Sequence, residues 1–167
     1  MNKRADIFQL IFLLIILFLA AIVGILFLAM TNEVTNVYDE TGILDDTAIG
    51  QRYNEMMKTT APRTTDYMVF MIFLGGVIGL LISASRTNFS PTIFFMFFLL
   101  LIITIFVASG MVNIYSGFAE QATLVDSANQ LQLTGFLFSR YTPLIMTVLG
   151  GLIMLIMWGR SGGDIIV

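Results

Sequence analysis

Residues 7–30 read IFQLIFLLIILFLAAIVGILFLAM, an apolar run of 24 residues that only Gln9 interrupts with a polar side chain. As an α-helix this run is roughly 36 Å long at about 1.5 Å per residue, which is enough to cross a hydrocarbon core of about 30 Å. The apolar core of a signal peptide is only about 7–15 residues long, so we expect the run to be retained as a membrane helix. This stretch indicates an integral membrane protein.

Three further apolar runs follow at 67–84, 92–114 and 136–158. None of them alternates every second residue as the strands of a membrane β-barrel do. We therefore predict an all-α integral membrane protein, a single polytopic domain over 1–167 with four transmembrane helices and both termini on the same side. The fourth run contains Pro143. Its helix can begin there or run from Phe136 with a kink, and the sequence leaves both possibilities open.

Local signals predict where several helices begin. Ser90-Pro91 and Thr142-Pro143 each place a hydroxyl before a proline, the pattern of an N-cap followed by the first helical position. Thr65-Asp66 offers a similar cap for the second membrane helix. Each of these signals predicts the start of a helix.

The composition excludes several classes of protein. Of the 167 residues 57% are apolar and 11% are charged, the formal charge is −3, and Cys and His are absent. A soluble domain needs more polar surface than this. Without Cys or His no disulfide and no Ser/His/Asp or Cys/His catalytic set can form, so we expect a non-enzymatic protein with no cofactor and no metal site. No Lys/Arg block is present that would bind nucleic acid.

Two polar segments, 31–66 and 115–135, lie on the same side of the predicted membrane. Helical spacing in 31–66 predicts two short amphipathic helices, the second ended by Pro62. The spacing in 115–135 predicts that the third membrane helix extends beyond the bilayer as an amphipathic stalk. The two segments either pack together as a small extramembrane head or lie on the bilayer surface. The acids Asp39, Glu40, Asp45 and Asp46 do not have the spacing of a calcium-binding loop and are interpreted as a solvated acidic loop.

The distribution of basic residues predicts the orientation. The short segments 1–6, 85–91 and 159–167 hold four of the eight Lys and Arg residues, concentrated next to helix ends. Positive charge beside the first helix usually stays in the cytoplasm. We expect both termini in the cytoplasm, or in the interior of a virion, and an acidic head on the opposite side.

Two groups of residues are candidates for a role within the membrane. Small residues at intervals of four favour close helix packing, within the chain or in a homo-oligomer: Ala20, Gly24, Gly75, Gly79, Ser83, Thr147 and Gly151. Basic and aromatic residues at the ends of the runs are predicted to anchor the chain at the lipid interface: Lys3, Arg4, Tyr67, Arg86, Arg140, Tyr141, Trp158 and Arg160.

These features favour a structural or scaffolding subunit of a larger membrane assembly, whose partners are the lipid bilayer and other membrane or shell proteins that contact the acidic segments. A protein that lines or shapes the internal membrane of a virion beneath its shell is one such subunit. The alternatives are an oligomeric pore-former of the holin type and a small transporter subunit. Transport is the least favoured, because the four spans lack the ionisable residues on which proton relays and substrate counter-ions depend.

Overall fold

The computed structural model describes residues 5–42, 47–86 and 90–161, and the side chains of 9–42, 47–86 and 90–159. The chain forms seven α-helices in the described part. They are α1 (Ala5–Thr41), α2 (Ala48–Glu55), α3 (Ala61–Arg86), α4 (Pro91–Ala119), α5 (Val125–Asn129), α6 (Gln132–Leu137) and α7 (Thr142–Ser161), with one π-helical turn at Met56–Thr60 between α2 and α3.

Four helical segments are long and apolar enough to cross a membrane: Gln9–Thr41, Ala48–Arg86, Pro91–Ala119 and Thr142–Gly159. This confirms the all-α class and the presence of four helices long and apolar enough to span a membrane. Large apolar side chains on their outer surfaces remain exposed, among them Phe106 at 75% and Leu155 at 68%. Such a surface is unfavourable in water and is the expected lipid-facing side of a membrane bundle.

The four long helices pack as a bundle with two connected apolar cores. Near one end, Leu10 and Leu13 of α1 pack with Leu80 of α3 and Met157 of α7. Further along the bundle, Leu17 and Ile25 of α1 belong to the second core. Because the beginning of α1 meets the end of α3, consecutive long helices run antiparallel.

Helix α3 does not begin at the predicted Thr65-Asp66 cap, and Pro62 does not end the helical pattern before it. The helix runs from α2 through the π turn into α3 without a break, and Pro62 is buried in its first turn. A proline inside a helix lacks an N–H and crowds the carbonyl of the preceding turn. The wider π turn directly before it, with the Ala61 N–H bonded to the Met56 carbonyl, accommodates Pro62 without ending the helix.

Helix α4 begins as predicted and ends earlier than the predicted stalk. The Ser90 hydroxyl accepts a hydrogen bond from the Ile93 N–H at 3.2 Å, which confirms the N-cap. After Ala119 the chain turns, and Leu124 and Leu131 fold back into the core instead of continuing along an amphipathic helix. Burying these two side chains removes apolar surface from water, which a straight stalk would leave exposed.

The fourth long helix begins at Thr142, so the predicted span 136–158 is too long at its start. Phe136 and Leu137 belong to α6, and residues 138–141 form a turn between α6 and α7. The Thr142 hydroxyl donates back to the carbonyls of Leu137 and Ser139 and does not act as the predicted N-cap. These bonds close the turn, which rules out one kinked helix from Phe136.

Candidate functional site: a buried carboxylate and the cleft beside it

Asp66 is the only Asp or Glu that is buried among the described residues, with 7% of its surface exposed. Helix α3 carries it to the short helix α6. Its Oδ2 accepts a hydrogen bond from the Leu133 N–H at 2.9 Å. Its Oδ1 accepts two hydrogen bonds from Thr134, one from the N–H and one from the hydroxyl, each at 2.8 Å. Both carboxylate oxygens therefore have partners.

This arrangement is a helix cap supplied by another helix, and we call it the Asp66 cap. The first N–H groups of any helix lack partners within that helix. Leu131, the residue before α6, has no side chain that could accept from them. Asp66 fills this role from a position 67 residues away in the sequence, and so joins α3 to α6.

The sequence interpretation of Asp66 was wrong. We expected it to begin the second membrane helix beside Thr65, but Thr65 lies inside α3 and its hydroxyl donates to the Ala61 carbonyl at 2.9 Å. A signal was present in the sequence. Asp66 shares one helical face with Pro62, Val69 and Phe73, which are all buried, and this spacing of three and four residues places the carboxylate toward the core.

A second polar contact joins the two segments 31–66 and 115–135. The Asn32 side-chain amide donates to the hydroxyl of the buried Ser127 at 3.0 Å, which fastens α5 to α1. The two segments therefore contact one another at this bond and at the Asp66 cap.

The acidic cluster predicted as a solvated loop lies partly on helix α1. Asp39 forms a salt bridge with Lys58 and accepts a hydrogen bond from the Asn54 side-chain amide at 2.6 Å. These contacts hold the end of α1 against α2 and the π turn. Glu40 is exposed, and the remaining two acids, Asp45 and Asp46, lie outside the described residues.

A cleft of about 380 Å³ opens beside the Asp66 cap, between α3 and the connection from α5 to α6. It is lined by Arg63, Asp66, Tyr67, Gln130, Gln132 and Leu133. Arg63, Tyr67 and both glutamines are exposed, and Arg63 forms no salt bridge with any described residue. The cleft thus offers a cation, a phenol and two amides to a ligand.

The small residues are divided between packed and open positions. A Cβ at Gly24 would lie 3.1 Å from the Thr65 Cγ2, so α1 and α3 approach closely there, and Ala20 packs against the core. No described neighbour lies within 4 Å of a Cβ at Gly75, Gly79 or Gly151. Ser83 is half-buried, and Thr147 is exposed with its hydroxyl bonded to the Pro143 carbonyl.

Neighbouring helices pack most tightly against two glycines that are not among the predicted packing residues. A Cβ at Gly76 would clash with the Leu13 side chain, and one at Gly150 would clash with the Leu101 side chain. Each glycine is one position away from a selected residue. The spacing of small residues predicted that helices pack closely. Because the glycines occur as adjacent pairs, the spacing did not decide which glycine of each pair faces the neighbouring helix.

Several predicted anchors are exposed. Tyr67 is 57% and Trp158 59% exposed, and Arg86 is exposed in the last turn of α3. Trp158 contacts Phe94 edge to face, with ring centroids 6.0 Å apart. Lys3 and Arg4, and the side chain of Arg160, lie outside the described residues.

Arg140 and Tyr141 interact with each other in the turn before α7. The Arg140 guanidinium donates to the Tyr141 hydroxyl at 3.0 Å and lies 5.1 Å from the centre of its ring. This contact keeps the Arg140 charge at the exposed end of the helix, beside an aromatic ring.

The polar groups inside the bundle are mostly bonded to their own helices. The buried Thr104 donates to the Leu100 carbonyl at 2.8 Å, and the buried Thr35 donates to the carbonyls of Thr31 and Asn32. The Tyr115 hydroxyl is buried without a hydrogen-bond partner among the described groups, and its ring stacks on Phe138 at 5.0 Å. These side chains do not form a continuous polar path.

Comparisons with protein-family models, with curated proteins and with solved structures find no match to this chain.

Proposed function

We propose that this chain is a non-enzymatic structural subunit of a larger membrane assembly. The observation that carries the proposal is the Asp66 cap, in which the buried carboxylate is bonded through both oxygens to the backbone and hydroxyl of α6. In transporters and pumps, a buried carboxylate exchanges protons or binds a cation along a pathway. Here its hydrogen bonds hold the fold together.

The interior polar groups support the same proposal. The buried hydroxyls of Thr35, Thr104 and Thr142 donate to nearby main-chain carbonyls, and Ser127 pairs with Asn32. Such bonds satisfy polar groups inside a membrane bundle, and they leave few groups for a substrate to contact. The bundle therefore has the chemistry of a scaffold.

The exposed surface of α1 and α2 beyond the apolar runs supports contact with another protein. It presents apolar side chains at Val34, Val37 and Ile49 beside the exposed acids Glu33 and Glu40. We place the partner of the assembly on this surface. In the form we favour, the assembly is a virion whose internal membrane the chain lines beneath a protein shell, with both termini on the interior side.

The proposal is tested by extracting the chain from its native membrane in a mild detergent and measuring the composition of the extracted particles. We expect most copies to be in one larger complex at a constant ratio to a second membrane or shell protein. A chain that leaves the native membrane free of partners and conducts ions in liposomes would contradict the proposal.

The second candidate is an oligomeric pore-former, which the open glycine positions favour. Gly75 and Gly79 are exposed and Gly151 is half-buried, and a Cβ built at any of the three has no described neighbour within 4 Å. Exposed small residues let helices of separate copies approach. Leakage of an entrapped dye on high expression would support this candidate. Cells that stay intact at high expression would exclude it. A small transporter subunit is the third candidate and has no observation in its favour.

A further inference from the structure

We infer that the cleft beside the Asp66 cap binds the phosphodiester group of a phospholipid, with Arg63 as the cation that holds it. The inference depends on the membrane embedding of the chain and not on its proposed structural role. It begins from the cleft volume of about 380 Å³. Ligand sites commonly enclose about 300–1,000 Å³, so the cleft is large enough for a headgroup phosphate and its glycerol link.

The position of the cleft matches the level of lipid headgroups. Arg63 precedes the apolar run 67–84 by one helical turn, and Tyr67 begins it. Arginine and tyrosine at the start of an apolar run lie at the membrane–water interface, where the phosphates are. A ligand in the cleft is therefore at the depth in the bilayer where the phosphodiester groups of the lipids lie.

The lining groups are hydrogen-bond donors suited to a phosphate. The Arg63 guanidinium presents several N–H groups in a planar fork that fits phosphate oxygens. Gln130 and Gln132 add amide N–H groups, and Tyr67 adds a hydroxyl. Arg63 forms no salt bridge with any described residue, so its charge is available to a ligand.

The carboxylate of Asp66 also lines the cleft, but it is buried and both of its oxygens are already bonded. They accept three hydrogen bonds from Leu133 and Thr134. Arg63 is exposed, whereas Asp66 is 7% exposed. The open side of the cleft is therefore the cationic side.

The surface below the cleft suits an acyl chain. Met71 and Leu74 follow Tyr67 on the same face of α3, and both are exposed. When the phosphate of a lipid is bound in the cleft, the acyl chain of that lipid can lie along these side chains. Inorganic phosphate lacks this contact, which separates the two sources of phosphate chemistry.

The test uses the delipidated full chain in detergent and native mass spectrometry to count bound molecules. Four probes are titrated separately: phosphatidylglycerol, phosphatidylcholine and diacylglycerol with identical acyl chains, and inorganic phosphate. We expect one tightly retained copy of either phospholipid and no retained diacylglycerol or inorganic phosphate. Diacylglycerol retained as tightly as the phospholipids would overturn the role of the phosphodiester, and inorganic phosphate retained alone would overturn the lipid as its source.

Two arginine variants locate the site. Arg63→Gln is expected to weaken phospholipid retention about tenfold, because it removes a charge-assisted hydrogen bond. Arg52→Gln is the matched control, since Arg52 is an exposed arginine of α2 that does not line the cleft, and it is expected to leave retention unchanged. Equal losses in the two variants would contradict the site.

A third variant separates charge from folding. Arg63→Lys keeps the positive charge without the planar fork, so we expect it to retain the lipid about threefold less tightly than the unmodified chain but more tightly than Arg63→Gln. The thermal unfolding temperature is measured for each variant. If both variants are folded and Arg63→Lys loses the lipid as completely as Arg63→Gln, the positive charge at position 63 does not contribute to lipid binding.

Discussion

Asp66 shows how a single residue can join two parts of a membrane bundle. Removing a carboxylate from water is costly, and the cost is offset only where hydrogen-bond donors surround it. The three donors of α6 meet this condition. In exchange, the short helix α6 gains the acceptors that its own sequence lacks.

Replacement of Asp66 with alanine is therefore expected to destabilise the protein. Asp66→Ala leaves the N–H groups of Leu133 and Thr134 without acceptors, and we expect the free energy of unfolding to fall by about 2–4 kcal/mol. Denaturant or thermal unfolding of the purified protein in detergent measures the change. Asp126→Ala is the control, because Asp126 is an exposed acid on the neighbouring helix α5, and a loss as large in this variant would contradict the assigned role of the Asp66 cap.

Two adjacent glycines on α3 are expected to respond oppositely to the same substitution. Gly76→Ala forces a Cβ against the Leu13 side chain, and we expect a loss of about 1–3 kcal/mol of stability from overpacking. Gly75→Ala places its Cβ in open space, so it is expected to be neutral or to stabilise by up to about 1 kcal/mol through helix propensity. Thermal unfolding of the two variants gives the comparison.

A second substitution, at Leu13, tests whether its side chain causes the loss of stability in Gly76→Ala. Adding Leu13→Ala to Gly76→Ala removes the atoms with which the new Cβ clashes, so the double variant is expected to lose less stability than the sum of the two single changes. Strict additivity would show that Leu13 and Gly76 do not contact one another in the membrane.

At the scale of the elements, some helix ends are explained by residues close to them in the sequence. The Ser90-Pro91 signal starts α4 through a side-chain cap, and Thr47 caps α2 by accepting from the Gly50 N–H at 3.0 Å. The end of α1 follows a similar rule, since Gly42 has a φ of 65°, which favours glycine directly after a helix. In each case the controlling residues are within four positions of one another.

The cap of α4 gives the prediction at this scale. Ser90→Ala removes the acceptor of the Ile93 N–H, and we expect a loss of about 1 kcal/mol together with faster hydrogen exchange of that amide. Ser85→Ala is the control, because the Ser85 hydroxyl donates to the Ile82 carbonyl and caps no helix start. If exchange at Ile93 is unchanged in Ser90→Ala, the cap does not exist in the membrane.

Elements that depend on distant residues could not be predicted from the sequence. Pro62 ended the predicted helix because local rules treat proline as a break, yet the π turn before it lets the helix continue. The stalk failed because Leu124 and Leu131 gain more by returning to the core than by continuing the helix. The spacing of neighbouring residues could predict that Asp66 lies on the buried face of its helix. It could not predict the hydrogen-bond partners of Asp66, because they lie 67 and 68 residues away.

At the scale of the whole molecule, the absence of cysteine from the sequence permits a direct test of the topology. Single cysteines introduced at exposed Glu40, Gln121 and Arg86 can be labelled with a membrane-impermeant thiol reagent on intact cells. We expect positions 40 and 121 to react from outside and position 86 to react only after permeabilisation. The antiparallel helices place position 86 at the opposite end of the bundle from the other two, and positive residues at helix ends usually stay inside. Labelling of positions 40 and 121 from opposite sides would contradict the predicted arrangement.

The long separation within the Asp66 cap has a consequence for biogenesis. A ribosome adds about 5–20 residues per second, so the 67 residues between Asp66 and its first donor require roughly 3–13 seconds of synthesis at that rate. Throughout this interval the carboxylate has already been made and its donors have not. Water at the membrane surface, or the insertion machinery, must solvate the acid until α6 emerges, so the Asp66 cap can form only after synthesis has passed Leu137 of the 167 residues.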